Sequence, residues 1–312
     1  MYFPYLRGKQ YEMIALKELL SEGLIGKSIV PIIEPIKETS QFTKLIDCFA
    51  SKKNLISVIQ NPEVGNFKPR EERQRTLFSI SKGYMDALIM DNIADEGILD
   101  EFKGHEFLSI FKRPDSTQYV ENLKKLELRP KYTLIPDDSR LKRGLMEYDK
   151  VILRDNFIKQ KRNADYLKVS KDEHGIPDEF FSDDHLYYNK DNYVGFSDYS
   201  IIGEEYLDAG FAPVAVAIHI VYFDKSDILR IKHFVSDSND DINDPAGKFG
   251  EALKKLVDWY DRNSESMYTT EGLSQLLRHF YSGTYPGLGV VKKLSLMHHI
   301  QLINWYLEGK PE

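Results

Sequence analysis

The chain reads as an α/β protein, specifically a (β/α)8 TIM-like barrel with an added β-hairpin and C-terminal helices. Two observations carry that reading. The first is a run of short apolar segments that end in polar or charged residues, the clearest being Ile29 to Ile33, which closes on Glu34-Pro35. Their continuous apolar character suits parallel strands covered on both faces. The second is rhythm: strand ends recur at roughly 20 to 30 residues with helical stretches between them, which fits a closed barrel better than an open sheet. A doubly wound sheet stays open as the alternative and would keep the polar exits on one edge.

In order along the chain, Tyr2 to Leu6 is the first strand, followed by a helix with Met13, Leu16, Leu20 and Leu24 on one stripe and Gly23 as its stop. After the strand ending at Glu34, Ser40 can cap a helix bearing Phe42, Leu45, Ile46 and Phe49. The third strand, from Leu55, ends at Asn61-Pro62; a residue before proline is driven extended, so Glu34, Asn61 and Arg113 read as strand exits. Arg70 to Arg75 is a charged segment readable as an anion-binding patch or as the solvated face of a helix through Leu77, Phe78 and Ile80. The strand from Ala87 ends at Asp91, and Asp95 can cap a helix with Ile98, Leu99 and Phe102.

Strands at Phe107 to Phe111, Tyr132 to Ile135 and Lys150 to Leu153 alternate with helices opened by Ser116 or Thr117 and running from Leu141 to Tyr148. From Asn156 to Asn192 the rhythm breaks into a long polar stretch, expected to be a lid or partner-binding insertion without regular structure. Val194 to Tyr199 is the candidate eighth strand. Val214 to Phe223 and Ile228 to Val235 alternate about an Asp224 to Asp227 turn, which predicts a hairpin. Stripes at Phe249, Leu253, Leu256 and Tyr260, and at Leu296, Ile300, Ile303 and Leu307, predict helices. The expected organisation is one domain over 1–312, with a barrel core at about 1–200, a hairpin at 213–236 and a helical part at 245–312.

At 312 residues with 42% hydrophobic content the chain can bury a substantial core, and a net charge of -7 argues against broad affinity for nucleic acid. Cys48 is the one cysteine, so no disulfide forms within the chain, and it is expected to be buried. No segment resembles a signal peptide or a membrane span, which sets cytoplasmic localisation and no membrane association as the expectation.

Taken together, Tyr2-Phe3-Pro4-Tyr5-Leu6-Arg7-Gly8-Lys9-Gln10-Tyr11-Glu12, Pro31-Ile32-Ile33-Glu34-Pro35, Phe196-Ser197-Asp198-Tyr199 with Gly203, and Ala215-Val216-Ala217-Ile218-His219 resemble the beta-protein family named after a phage protein. The resemblance spans most of the chain up to the final helices. It implies a component of mobile elements and bacterial antiphage defence modules, with a protein partner encoded nearby that can be nuclease-like. It supplies no reaction.

A closed barrel would gather its strand exits on one face. The candidate catalytic residues are Glu34, Asp155, Asp198 and His219; the ligand-binding candidates are Arg7, Lys9, Asn61, Asp91, Lys112, Arg113 and Arg154. Asp137 stands at a further exit. A ring of mixed charges suits an anionic ligand with a divalent metal, or an acid and base pair; it also suits mutually neutralising ion pairs. Two functions follow: a barrel that senses or binds a partner or anionic ligand at its C-terminal face, and a metal-assisted hydrolase or phosphodiesterase acting on an anionic small molecule or nucleotide. Arg7 and Asp198 are expected to be partly solvated, so that alanine there costs on the order of 1 kcal/mol. The chain lacks a Walker loop, a dinucleotide fingerprint, a His-Glu-x-x-His helix and a Gly-x-Ser-x-Gly elbow. His298 and His299 diverge on a helix, Asp172-Glu173-His174 and Asp183-Asp184-His185 could supply metal ligands but read more readily as solvated loop residues, His219 reads as a satisfied half-buried histidine as well as a catalytic one, and Gly283 to Gly289 reads as a helix connection.

Overall fold

The computed structural model describes residues 1–37, 39–65, 83–93, 99–207 and 213–309. The charged segment Arg70 to Arg75 with Leu77, Phe78 and Ile80, and the expected cap at Asp95 with Ile98, lie outside the described residues. By contacts the chain divides into two compact units, one formed by Met1–Met13, Gly26–Asp155 and Asp184–Tyr199, the other by Ile14–Ile25, Asn156–Asp183 and Ser200–Glu312.

The first unit is a closed parallel barrel. Its strands are β1 (Tyr2–Leu6), β2 (Ile32–Ile33), β3 (Ser57–Ile59), β4 (Met85–Ile89), β5 (Phe107–Ile110), β6 (Tyr132–Ile135), β7 (Lys150–Arg154) and β9 (Gly195–Asp198). All five residues of β1 are buried, as strands covered on both faces require. Closure runs through β1: Tyr5 lies opposite Ile32 of β2, while Phe3 and Pro4 lie opposite Ser197 and Asp198 of β9. On its other side β9 places Asp198 beside Arg154 of β7. Every strand therefore ends at the same rim, and that rim carries the polar exits.

Three local expectations shift. β2 is only Ile32–Ile33, with Ile29 held by an isolated bridge to Tyr2, because prolines at 31 and 35 flank the run and withhold ladder donors. Thr39 rather than Ser40 caps the helix Ser40–Lys52, its side chain accepting from Phe42 N at 3.2 Å. Asp138 caps Ser139–Gly144, accepting from Arg140 N and Leu141 N. Cys48 is half-buried instead of buried, since it flanks the stripe of Phe42, Leu45, Ile46 and Phe49.

The second unit corrects the reading of 156–192 as irregular. That stretch holds β8 (Asp178–Ser182), which pairs antiparallel with β11 (Leu229–Val235), itself paired with β10 (Ala217–Phe223). The hairpin is thus two-thirds of a sheet whose third strand comes from the insertion. The sequence hid β8 because its residues, Asp178-Glu179-Phe180-Phe181-Ser182, mix charge with aromatics. Three helices follow, Pro245–Asn263, Glu271–Ser282 and Leu288–Glu308. Gly272 is buried where the last two cross; a Cβ there would meet Leu294 O at 2.3 Å, so only glycine permits the approach. Gly283 ends the middle helix in the left-handed conformation, and 283–287 is the connection.

Candidate functional site

The barrel rim is organised from the turn after β1. Gly8 adopts φ +62°, which favours glycine. Glu12 sits at the third helical position and accepts from Lys9 N at 3.2 Å, half of a capping box, and from Arg7 N at 2.9 Å. That carboxylate, only 2% exposed, fixes where Arg7 begins. Sequence reasoning assigned Glu12 no role, although its position three residues past the turn is the signature of such a cap.

Arg7 then reaches Glu34, and the pair is buried, at 3% and 0% exposure. Glu34 also accepts from the Tyr5 hydroxyl at 2.8 Å and from Glu63 N at 2.7 Å. The guanidinium lies over the rings of Tyr5 and Tyr199, with centroids at 5.1 and 5.3 Å. Burial, reinforced by the charge of Glu34, raises the Tyr5 phenol well above its ordinary value. Burial opposes the Arg7 cation, yet Tyr5 and Glu34 outweigh it and its pKa rises.

The network continues along the rim. Lys112 pairs with Glu63 at 3.0 Å, and its backbone N–H donates to Asp91 at 2.8 Å. Asp91 also accepts from Ser116. Desolvation raises the Asp91 pKa, partly offset by those two donors. Asp198, 3% exposed, accepts from Tyr2 OH at 2.7 Å. A second group lies around Asp137, which takes Arg154 at 2.8 Å and Lys142 at 3.1 Å, while Arg154 also approaches Asp184 at 3.4 Å.

The predicted residues thus sort into distinct environments. Arg7 and Glu34 meet directly, Lys9 shares their turn, and Asp91 joins through Glu63 and Lys112. Asn61 uses both amide groups on one backbone position, donating to Ile89 O at 2.7 Å and accepting from Ile89 N at 2.9 Å. Arg113 and Asp155 are exposed. The expectation that Arg7 and Asp198 are partly solvated is corrected: both are buried, because the large aromatic residues Tyr2, Tyr5 and Tyr199 bury their polar ends. His219 is on β10 in the second unit, not on a barrel strand. It pairs with His233, which sequence reasoning passed over even though it lies directly opposite in the hairpin register.

Among the described residues no group of three or more His, Cys, Asp or Glu is arranged to hold a metal ion. The carboxylates of Glu34, Asp91 and Asp198 each already accept from protein donors. In the second unit, Asp178 is saturated by Tyr222 OH, Arg230 Nε and Lys232 Nζ, each at 2.6 Å, and Asp172 adds a second contact to Lys232. Asp172 also ties its own loop through His174 N and Ile176 N, both 2.9 Å, while Asp184 and His185 are buried rather than solvated. His298 bridges Thr270 and Val221 O, and His299 bonds Ser200 at 2.7 Å.

No helix among the described residues is long and apolar enough to cross a membrane. No family model matches the chain, and no curated protein does. Among solved structures it is similar to thiamine phosphate pyrophosphorylase from Pyrococcus furiosus, at 10% identity over 65% of this chain and 88% of that one, with a TM-score of 0.32. A likeness that distant says nothing about chemistry. The closed eight-stranded parallel barrel identifies the fold as a (β/α)8 barrel.

Proposed function

We propose that the barrel is a binding component of a bacterial antiphage defence or mobile-element module, engaging an anionic ligand or an acidic segment of a protein partner at its C-terminal rim. The resemblance of the opening motif and of Asp198-Tyr199 to the beta-protein family supports the context. The observation that carries the binding mode is the exposed Arg113 at a rim whose deeper acids are already engaged. Glu34, Asp91 and Asp198 are buried and accept from protein donors, Lys112 and Arg154 are partly exposed and pair with Glu63 and Asp137, and Arg113 is exposed, as are Asp137 and Asp155. These carboxylates are committed to protein donors, and no group of three metal-ligating side chains gathers among the described residues, so the metal-assisted hydrolase has less to support it than the binding role. Accessible guanidinium groups suit planar, bidentate recognition of phosphate or carboxylate.

The test is binding by calorimetry against a panel of nucleotides, sugar phosphates and inorganic phosphate, alongside phage plaque counts in cells carrying the protein with its genomic neighbours. Arg113→Ala should weaken binding about tenfold or more, the value of one lost charge-assisted contact, with melting temperature nearly unchanged; Arg154→Ala should weaken it similarly and also lower the melting temperature, because it takes a cation from Asp137 and the buried Asp184. Folded variants that bind and protect like the parent would overturn the reading.

A further inference from the structure

A chain of three side chains in the second unit leads to a cavity. Glu179 Oε2 lies 3.1 Å from His233 Nε2, so the carboxylate accepts and a neutral His233 keeps its lone pair on Nδ1. That atom is 2.7 Å from His219 Nδ1, a separation at which one nitrogen must donate. His219 is therefore the Nδ1–H tautomer, and its lone pair is on Nε2. No hydrogen bond engages that nitrogen among the described residues. Tyr166 stacks on His233 at 4.4 Å and meets His219 edge-on at 4.7 Å, which locks both rings. The Tyr166 hydroxyl is itself held, accepting from Gln160 N at 3.2 Å.

His219 lines a cavity of about 270 Å³, slightly below the usual range for small-molecule sites. Its polar walls are Lys159, which also pairs with Glu205 at 3.5 Å, Gln160, Asn163, Lys292 and Ser295, and no acidic residue is among the described residues that line it. We propose that this cavity is a general-base site for a small anionic substrate, in which His219 Nε2 removes the proton of a substrate hydroxyl while the lysines hold the anionic group.

The proton bookkeeping closes within the protein. The substrate O–H bond breaks, its electrons remain on oxygen, and the proton bonds to His219 Nε2. His219 releases its Nδ1 proton to His233 Nδ1, and His233 releases its Nε2 proton to Glu179. The result is an oxyanion in the cavity and a neutral carboxylic acid at Glu179, with no imidazolium left behind. Desolvation favours that course: it pushes His219 well below its ordinary pKa and His233 down to about 4, and raises Glu179. A pair of histidines that only filled space would need neither the carboxylate at one end nor the cavity at the other.

The test needs no knowledge of the natural substrate and is independent of the barrel rim. Diethyl pyrocarbonate acylates imidazole through an unprotonated ring nitrogen, and peptide mapping reports each histidine separately. On the full chain, His219 should be acylated, inorganic phosphate should slow that reaction, and Glu179→Gln should slow it about tenfold, equivalent to about one pKa unit in Nε2 basicity. Exposed His174 is the internal reference and should respond to neither. Nitrogen-15 spectra of the parent should place the His219 proton on Nδ1 and the His233 proton on Nε2, a measurement that holds even if Glu179→Gln folds poorly. An Nε2–H tautomer of His219, or acylation indifferent to both phosphate and a folded Glu179→Gln variant, would overturn the proposal.

Discussion

Removing Arg7 tests the energetic reading of the barrel rim most directly. Glu34 is fully buried and has three donors, Arg7, Tyr5 and the Glu63 amide. Arg7→Met keeps much of the apolar stem but strands the carboxylate with two neutral donors and no cation. Breaking one side of a buried ion pair costs about 3–5 kcal/mol, because the remaining charge has lost its compensation and cannot recover water. At about 2–4 °C per kcal/mol for a domain of this size, the melting temperature should fall by roughly 6–20 °C. The diagnostic companion is Arg7→Met/Glu34→Met, which removes both charges and should regain most of the loss. Urea unfolding monitored by circular dichroism, with a second probe to check for a single transition, measures both. A loss below about 1 kcal/mol for Arg7→Met, or a double variant no better than the single, would refute the reasoning and return the pair to the class of solvated rim contacts.

Other outcomes follow from the same geometry. Tyr2→Phe removes a buried donor to Asp198 and should cost about 1–3 kcal/mol in the same unfolding assay. Gly8→Ala combines φ +62° with an ideal Cβ 3.2 Å from Ile33 Cγ2, and should destabilise by about 1 kcal/mol or more. Gly272→Ala forces two helices apart and should lower stability by about 1–3 kcal/mol, read by thermal melting. His233 and His298 both have pKa values lowered to about 4, chiefly by desolvation. Since the unfolded chain binds these protons from about pH 6.5 while the folded chain does not until about pH 4, stability should fall as pH drops through that window and level off below it. A flat unfolding free energy between those pH values would contradict the burial of both rings as neutral species.

The barrel was legible in the sequence because parallel strands covered on both faces must be apolar throughout, and Ile29 to Ile33, Phe107 to Phe111 and Val151 to Leu153 have no other use. The hairpin was equally visible, since alternation and a polar turn coincide at Asp224 to Asp227. β8 was not visible. Asp178 and Glu179 look like loop residues until Lys232, Arg230 and His233, contributed by a strand some fifty residues on, supply partners that let Asp178 be buried and Glu179 half-buried. The site residues show the same division. Composition and position marked Glu34 and Arg7 as strand exits, but their burial depends on where Tyr5 and Tyr199 lie, which is long-range information. His219 was singled out without its partner because pairing across a hairpin depends on register, and register is fixed by the turn.

The excursion between β7 and β9 has a consequence for how the chain comes off the ribosome. Seven barrel strands emerge, then β8, which belongs to another sheet, and only then the strand that seals the seam. The Tyr2 to Asp198 contact spans 196 residues, so β1 waits with one edge unsealed for most of synthesis. β8 waits in turn for β11, whose Lys232 lies 54 residues beyond Asp178. Neither unit can finish before part of the other has been made. Exposed strand edges invite pairing with other chains, and non-local pairing is slow because loop closure precedes its reward. Truncation anywhere between β7 and β11 therefore leaves at least one open edge, and nascent chains stalled in that interval should be the ones most dependent on chaperones.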